Sequence, residues 1–420
     1  MNSKERVLAA LNHKLPDKVP MDFGSHGCSM MHVTCVQDLR EYFGLKGLVK
    51  VADPSAMIGL IEDDLLDAMG CDAAGVKAYS NIFGVRVENW KEWDYFGKSI
   101  LVPGGFNVTQ DEKGGYFAYP QGDVTMPASA YMPVNGFYFD SIIRQEAFES
   151  EDDLDYRDNL AEFQPVGEEQ LDFYRSEAER LKDCGRAAVV ELWHSHFGNI
   201  GIVPAPMIAH PKGIRSIEEW YMAPLLYPNY IRKLFEEQTQ IAIDSISKMS
   251  KALGDSIDVA VVCGSDFGTQ TGTFISQDTF NEFWAPCFKR VNDWIHSNTN
   301  WKTMLHSCGA VFDFIPSFIE SGFDILNPVQ CSASGMDPVS LKREYGRDIV
   351  FWGGGVDTQK VLPFGKPDEI REQVLQRCEI FGEDGGFIFN AVHIVQCGTP
   401  VGNILAMINA VREFNGDASI

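Results

Sequence analysis

Eight short apolar, β-branched runs recur along the chain, at 19–24, 71–76, 187–193, 258–264, 301–306, 323–328, 348–353 and 386–392. Stretches of helical period follow most of them, at 36–43, 55–69, 227–253, 279–297, 312–321, 339–345, 368–381 and 402–414. Strands that alternate with helices are parallel strands joined by crossovers, an α/β pattern. Eight such units predict closure into a single (β/α)8 TIM barrel, with an open doubly wound sheet as the alternative. The length of 420 residues suits one barrel with insertions, so 1–420 is read as one unit. Between about 79 and 140 the pattern breaks into Gly, Pro and aromatic residues, with alternation at Gly84–Glu88 and turns at Gly104-Gly105 and Gly114-Gly115. This predicts a β-hairpin excursion after the second strand. The acidic stretch 149–158 then reads as a solvated connection back to the barrel.

Composition narrows the partners. Hydrophobic residues make up 45% and charged residues 22%, enough to bury a large core. The formal charge of −24 repels phosphate backbones and anionic bilayers, so neither nucleic acid nor membrane is expected as a partner. No run of 18 apolar residues occurs, and residues 1–14 read as an amphipathic helix without an apolar signal region, so a cytoplasmic location is expected. Ten cysteines without regular spacing are expected to be reduced, most of them small buried hydrophobes.

A barrel gathers chemistry where its strands end on the carboxyl side. Polar residues follow the predicted strands there: Asp22 and His26, Glu191 with His194 and His196, Asp266, His306 with Cys308, Gln330, Asp357, and His393 with Cys397. In His306-Ser307-Cys308-Gly309, residues two apart at a strand end project to one side and can hold one ion. Cys397 follows the eighth strand, and one His with two Cys suits zinc; a buried His on a carbonyl beside an inert Cys would leave the same letters. Asp266 follows an apolar strand and is placed to orient or deprotonate a substrate, or to cap a helix. Glu191, His194 and His196 read as a ligand, a proton carrier or structural hydrogen bonds. Gly353-Gly354-Gly355 before Asp357 permits close approach of a ligand or makes a tight turn, while Met30, Met31 and Trp193 read as packing.

Taken with Arg6–Ala10 and Pro16–Pro20, several segments resemble the uroporphyrinogen decarboxylase superfamily over nearly the whole length. These are Asp266–Gln270, His306–Gly309, Asp324–Gln330, Trp352–Thr358, Asn390–His393, Thr399-Pro400 and Asn403. The tetrapyrrole decarboxylases of that superfamily carry an Arg-rich segment after the first strand, but Met21–Gly27 here contains no Arg to fork onto carboxylates. The chain looks more like the branch of zinc-dependent corrinoid methyltransferases and O-demethylases. That resemblance implies zinc on His306, Cys308 and Cys397. It also implies a methyl group moved between a small methyl donor or acceptor, a thiol or folate among them, and a corrinoid (cobalamin) brought by a partner protein. The expected catalytic residues are Asp266, Glu191 and His393, and the expected substrate contacts are Asp22, His26, His194, Gln330 and Asp357. A carboxy-lyase acting on a tetrapyrrole is the alternative and a noncatalytic ligand-binding barrel the third reading; a homodimer stays open.

Overall fold

A computed structural model describes residues 1–420. Seven parallel strands form one curled sheet, in the order Ala73–Gly75, Ala187–Glu191, Val259–Cys263, Lys302–His306, Ile325–Asn327, Val350–Trp352 and Phe387–Ile388. The segment around Met21 closes the ring. It makes a parallel bridge to Phe389, its Asp22 N–H donates to the Phe389 carbonyl (2.9 Å), and its Met21 carbonyl accepts from the Asp72 N–H (2.7 Å). Seven of the eight expected strands are therefore present, in chain order around a barrel, and the expected first strand, 19–24, takes its place through a single bridge at Met21.

Residue alternation explains how the barrel is filled. Along each strand side chains point alternately inward and outward. Val189, Val259, Val261, Met304, Ile325, Val350, Trp352 and Ile388 pack with one another inside the barrel, whereas Ala188, Val190, Ala260 and Val262 join the large core beneath the helices. Helix Ser3–Leu11 plugs the amino-terminal end by inserting Val7, Ala10 and Leu11 into the inner cluster. Its start is fixed by a capping box between Asn2 and Glu5.

The crossover helices largely follow the sequence pattern, and the differences are local. The predicted helix at 55–69 is only Asp63–Met69, because Ile58–Gly59 instead pairs antiparallel with Met31–His32 and Val51–Asp53. A side chain at Gly59 would meet Val36 at 2.7 Å, so this small sheet can lie on helix Val33–Tyr42 only with glycine there. Helices Glu168–Lys182 and Ile217–Leu226 were not anticipated; the first is the crossover into the third strand. The excursion holds a hairpin, Lys91–Tyr95 with Lys98–Val102, and a four-stranded antiparallel sheet from Val108–Gln110 to Asp140–Ser141. Gly84–Glu88 is not a strand; only an isolated bridge from Ser80 to Arg86 forms there.

Candidate active site at the carboxyl ends of the strands

One step beyond the apolar interior, the inward register of the strands turns polar. Val189 is followed two residues on by Glu191, Met304 by His306, Ile325 by Asn327 and Ile388 by Asn390, each on the same inner face as its predecessor. Asp22 joins this layer from the first strand, and its carboxylate accepts from Trp352 Nε1 (3.0 Å), Ser25 Oγ (2.7 Å) and the Ser25 N–H (3.1 Å). Burial nevertheless pushes the Asp22 carboxyl up to about 6.

His306 is the centre of the arrangement. Its Nδ1–H donates to Asn327 Oδ1 at 2.6 Å. The Asn327 amide cannot be turned round, since its Nδ2 donates to the Trp352 carbonyl at 2.7 Å. In the neutral ring Nε2 is thereby left as a lone-pair atom facing the strand ends. Cys28 Sγ and Cys308 Sγ each lie 3.6 Å from it, and Asp266 Oδ1 lies at 3.9 Å. The His393 ring stands edge-on to His306 with centroids 5.3 Å apart. The ligand atoms of Cys28, His306 and His393 fall within 4.8 Å of one another, as do those of Asp266, His306 and Cys308.

The loops that carry these groups are tied together. The Cys308 N–H donates to Asp266 Oδ1 (2.7 Å), the Gly309 N–H to Gln330 Oε1 (2.8 Å), and the Gly27 N–H to Glu191 Oε1 (2.6 Å). Gly309 has φ +91°, and a Cβ there would lie 2.3 Å from the Gly268 carbonyl carbon, so the turn after the fifth strand requires glycine. Helix Ile217–Leu226 reaches the site through Tyr221, whose hydroxyl donates to the Asp266 carbonyl (3.0 Å) and whose ring stacks on Phe274 at 4.5 Å.

Burial moves Cys28, Cys308, Glu191, His393 and His196 toward neutrality. It raises the Cys28 thiol well above its ordinary value, with help from Glu191 and Asp266, and the Cys308 thiol likewise, with help from Asp266 and Cys28. It raises Glu191, and it pulls the His393 imidazole down to about 4 and that of His196 to about 4. Neutral imidazoles are the ligand form of histidine, whereas the thiols need a nearby cation to ionise.

Each sulfur-to-nitrogen spacing is that of a tetrahedral thiophilic ion. Zinc bonds of about 2.3 Å to sulfur and about 2.05 Å to nitrogen, at the tetrahedral angle, put the sulfur and nitrogen about 3.6 Å apart. The two sulfurs of Cys28 and Cys308 stand at that separation from His306 Nε2.

Of the sequence-predicted residues, the structure brings together His306, Cys308, Asp266 and His393 in this group, with Glu191 and Gln330 fastening its loops. Asp22 and His26 lie in the buried layer beside it. Cys397 is not in either donor group: its thiol rests on the Thr34 hydroxyl at 3.6 Å. The cause is the path of the chain after His393, where Val395 pairs with Met31 and carries the following residues toward helix Val33–Tyr42. His194 donates from Nε2 to the Gln164 carbonyl (2.9 Å), and Asp357 accepts from the Gln359 N–H (2.8 Å) within its own turn. Neither is brought to the group. Cys28, Asn327 and Asn390 were not singled out as site residues from the sequence. Cys28 carried a usable signal, because His26-Gly27-Cys28 repeats the spacing of His306-Ser307-Cys308.

A family model described as Uroporphyrinogen decarboxylase (URO-D) matches residues 199–414. The comparison with curated proteins finds no match. Among solved structures, a methyltransferase from Methanosarcina mazei is similar, with a TM-score of 0.54 at 15% identity, over 99% of this chain and 99% of that chain. That likeness is one of fold. No helix is long and apolar enough to cross a membrane.

Proposed function

This chain belongs to the uroporphyrinogen decarboxylase family, and we propose that within it the protein is a zinc-dependent methyltransferase that exchanges a methyl group between a small molecule and a corrinoid carried by a partner protein. The observation that carries this reading is that the thiols of Cys28 and Cys308 each stand 3.6 Å from His306 Nε2, a separation that suits zinc, in two donor groups that share His306, one completed by His393 and the other by Asp266. The lack of any Arg in Met21–Gly27 argues against the tetrapyrrole alternative, whose many carboxylates need guanidinium partners.

His306, Cys308, Cys28 and His393 would hold the ion, with Asp266 adjacent. Bound there, zinc supplies Lewis acidity and a lowered pKa for a thiol or for the oxygen of a methyl-bearing group. The chain's own residues do the positioning. Asn327 fixes the tautomer and plane of His306, Asp266 holds the Cys308 backbone, and Glu191 holds the loop that presents Cys28. Tyr221, stacked on Phe274, ties helix Ile217–Leu226 to the Asp266 carbonyl.

Metal analysis tests the reading directly. Protein purified without added metal is expected to hold one zinc per chain. His306→Ala and Cys308→Ala are expected to lose it, Cys28→Ala and His393→Ala to bind it more weakly, and Cys397→Ala to keep it. The wild-type holoprotein is then expected to demethylate free methylcobalamin with a small thiol, followed by the visible spectrum of the corrin. A metal-free wild type, or loss of zinc in Cys397→Ala alone, overturns the assignment.

A further inference from the structure

Below the His306 centre lies a layer of polar atoms that neither the metal reading nor the packing uses. Asn390 is buried, and its Nδ2 donates to the Asp22 carbonyl at 2.6 Å. Two oxygens cannot face each other there, so the amide orientation is fixed and Asn390 Oδ1 points away from Asp22, buried and without a donor. His26, 3% exposed, leaves Nε2 unpartnered, 4.0 Å from Asp22 Oδ2. Its ring stands edge-on to Trp352, the uppermost residue of the apolar interior. It is close enough to His306 and His393 for their charges to act on it.

An unpaired buried polar atom costs about 1–3 kcal/mol. Two of them in one buried layer beside the His306 centre mark a place that a ligand's polar group completes. The chemistry of the floor is that of an acceptor: a carboxylate and an amide oxygen, with Glu191 as the other acid of the inner layer. The ion-pair partners of Asp22 and Asp266 are the imidazoles of His26 and His306, with no Lys or Arg on either acid. Such a floor receives hydrogen-bond donors and repels anions.

Resting on the methyltransferase reading, we propose that the small molecule bound at the centre is neutral or cationic and carries a hydroxyl or ammonium head. That head donates to Asn390 Oδ1 while the methyl-bearing or methyl-accepting atom faces His306 and Cys308. His26 lines the same floor as a positioning residue.

The test uses the protein loaded with Co2+ in place of zinc, whose thiolate charge-transfer bands report thiol binding. The probes are 2-aminoethanethiol, 2-mercaptoethanol, ethanethiol and 2-mercaptoethanesulfonate. The first two are expected to bind about tenfold tighter than ethanethiol, the worth of one charge-assisted hydrogen bond, with the sulfonate weakest. Asn390→Leu is expected to shrink the difference to about threefold or less while leaving the metal-only spectrum unchanged. Binding of the sulfonate as tightly as the ammonium, or a preference that survives in Asn390→Leu, overturns the proposal. Calorimetric titration with ethanolamine and ethanesulfonate, which need no metal, separates the two readings. A protein without a cobalt spectrum that still prefers ethanolamine has lost its metal centre and kept its floor, and a preference for ethanesulfonate removes the floor whatever the metal does.

Discussion

Asn327 is the residue through which the architecture of the barrel is expected to control the metal centre, and a pair of substitutions isolates its part. The side chain is fully buried, accepting from His306 Nδ1 at 2.6 Å and donating to the Trp352 carbonyl at 2.7 Å. Asn327→Leu removes both bonds and leaves two buried partners unsatisfied, at about 1–3 kcal/mol each, so metal-free protein is expected to lose about 2–6 kcal/mol in urea unfolding. The freed His306 ring also loses its fixed tautomer. Removal of such an outer partner weakens metal binding by about 10–100-fold, equivalent to about 1.4–2.7 kcal/mol. Asn327→Asp keeps an acceptor for Nδ1 but loses the donor to Trp352. Stability is expected to fall while zinc affinity holds or rises. Zinc affinity is read by competition with a chromophoric chelator, and stability on the metal-free protein, so the two effects are measured apart. If Asn327→Leu binds zinc like the wild type, or Asn327→Asp binds it tenfold more weakly, Asn327 does not present His306 to a metal and the argument fails.

Three further perturbations probe the scaffold. Gly309→Ala forces a Cβ into the Gly268 backbone at a positive φ and is expected to cost about 2–4 kcal/mol, whereas Gly272→Ala, with nothing within 4 Å, stays within about 0.5 kcal/mol of wild type in the same urea series. Asp324 loses solvation on burial, yet His296, the Thr303 N–H and Lys302 bring its carboxyl down to about 2. A depressed acid stabilises the fold above its unfolded pKa and loses that contribution as pH falls. Asp324→Asn is therefore expected to cost about 2 kcal/mol at pH 7, with the gap to wild type closing between pH 4 and pH 2; a gap independent of pH refutes the ion-pair account. Glu162 pairs with the wholly buried Arg215 at 2.7 Å. Glu162→Gln leaves that guanidinium without its countercharge and is expected to lower stability by about 3–5 kcal/mol, and a loss under about 1 kcal/mol shows that water reaches it.

The sequence made the strands legible because each buried run is short, apolar and β-branched, and because period-2 alternation continues from apolar to polar residues at its end. Ile325 to Asn327 and Met304 to His306 are the clearest examples. Helix Glu168–Lys182 was less visible: its mean hydropathy is low, and only Leu171, Tyr174, Glu177, Ala178 and Leu181 are buried, so its polar face dominates the pattern. The 55–69 stretch misled for the opposite reason. Its apolar residues serve two elements, a two-residue strand and a short helix, whose join is set by contacts with Val33 and Val36. Cys397 could not be placed from spacing, because four residues beyond His393 are enough for the chain to leave the rim along Met31.

The titration behaviour of the inner layer gives the metal reading its physical sense. Asp22 and Glu191 are pushed up by burial, as are the Cys28 and Cys308 thiols, while His26, His196 and His393 are pushed down. A site with this composition and no added charge settles into neutral thiols and neutral imidazoles, in which the sulfurs are weak nucleophiles and the acids hold their protons longer than in water. The neutral His393 imidazole beside two protonated thiols is a state from which a divalent cation displaces protons directly: His393 need lose none, and each thiol gives up one. Zinc uptake is therefore expected to release up to two protons per ion, countable by titration in weakly buffered solution. Its affinity should rise with pH by as much as a hundredfold per unit while the thiols remain protonated, a slope set by the two protons. Uptake without proton release means that carboxylates, with Asp266 foremost, hold the ion in place of Cys28 and Cys308.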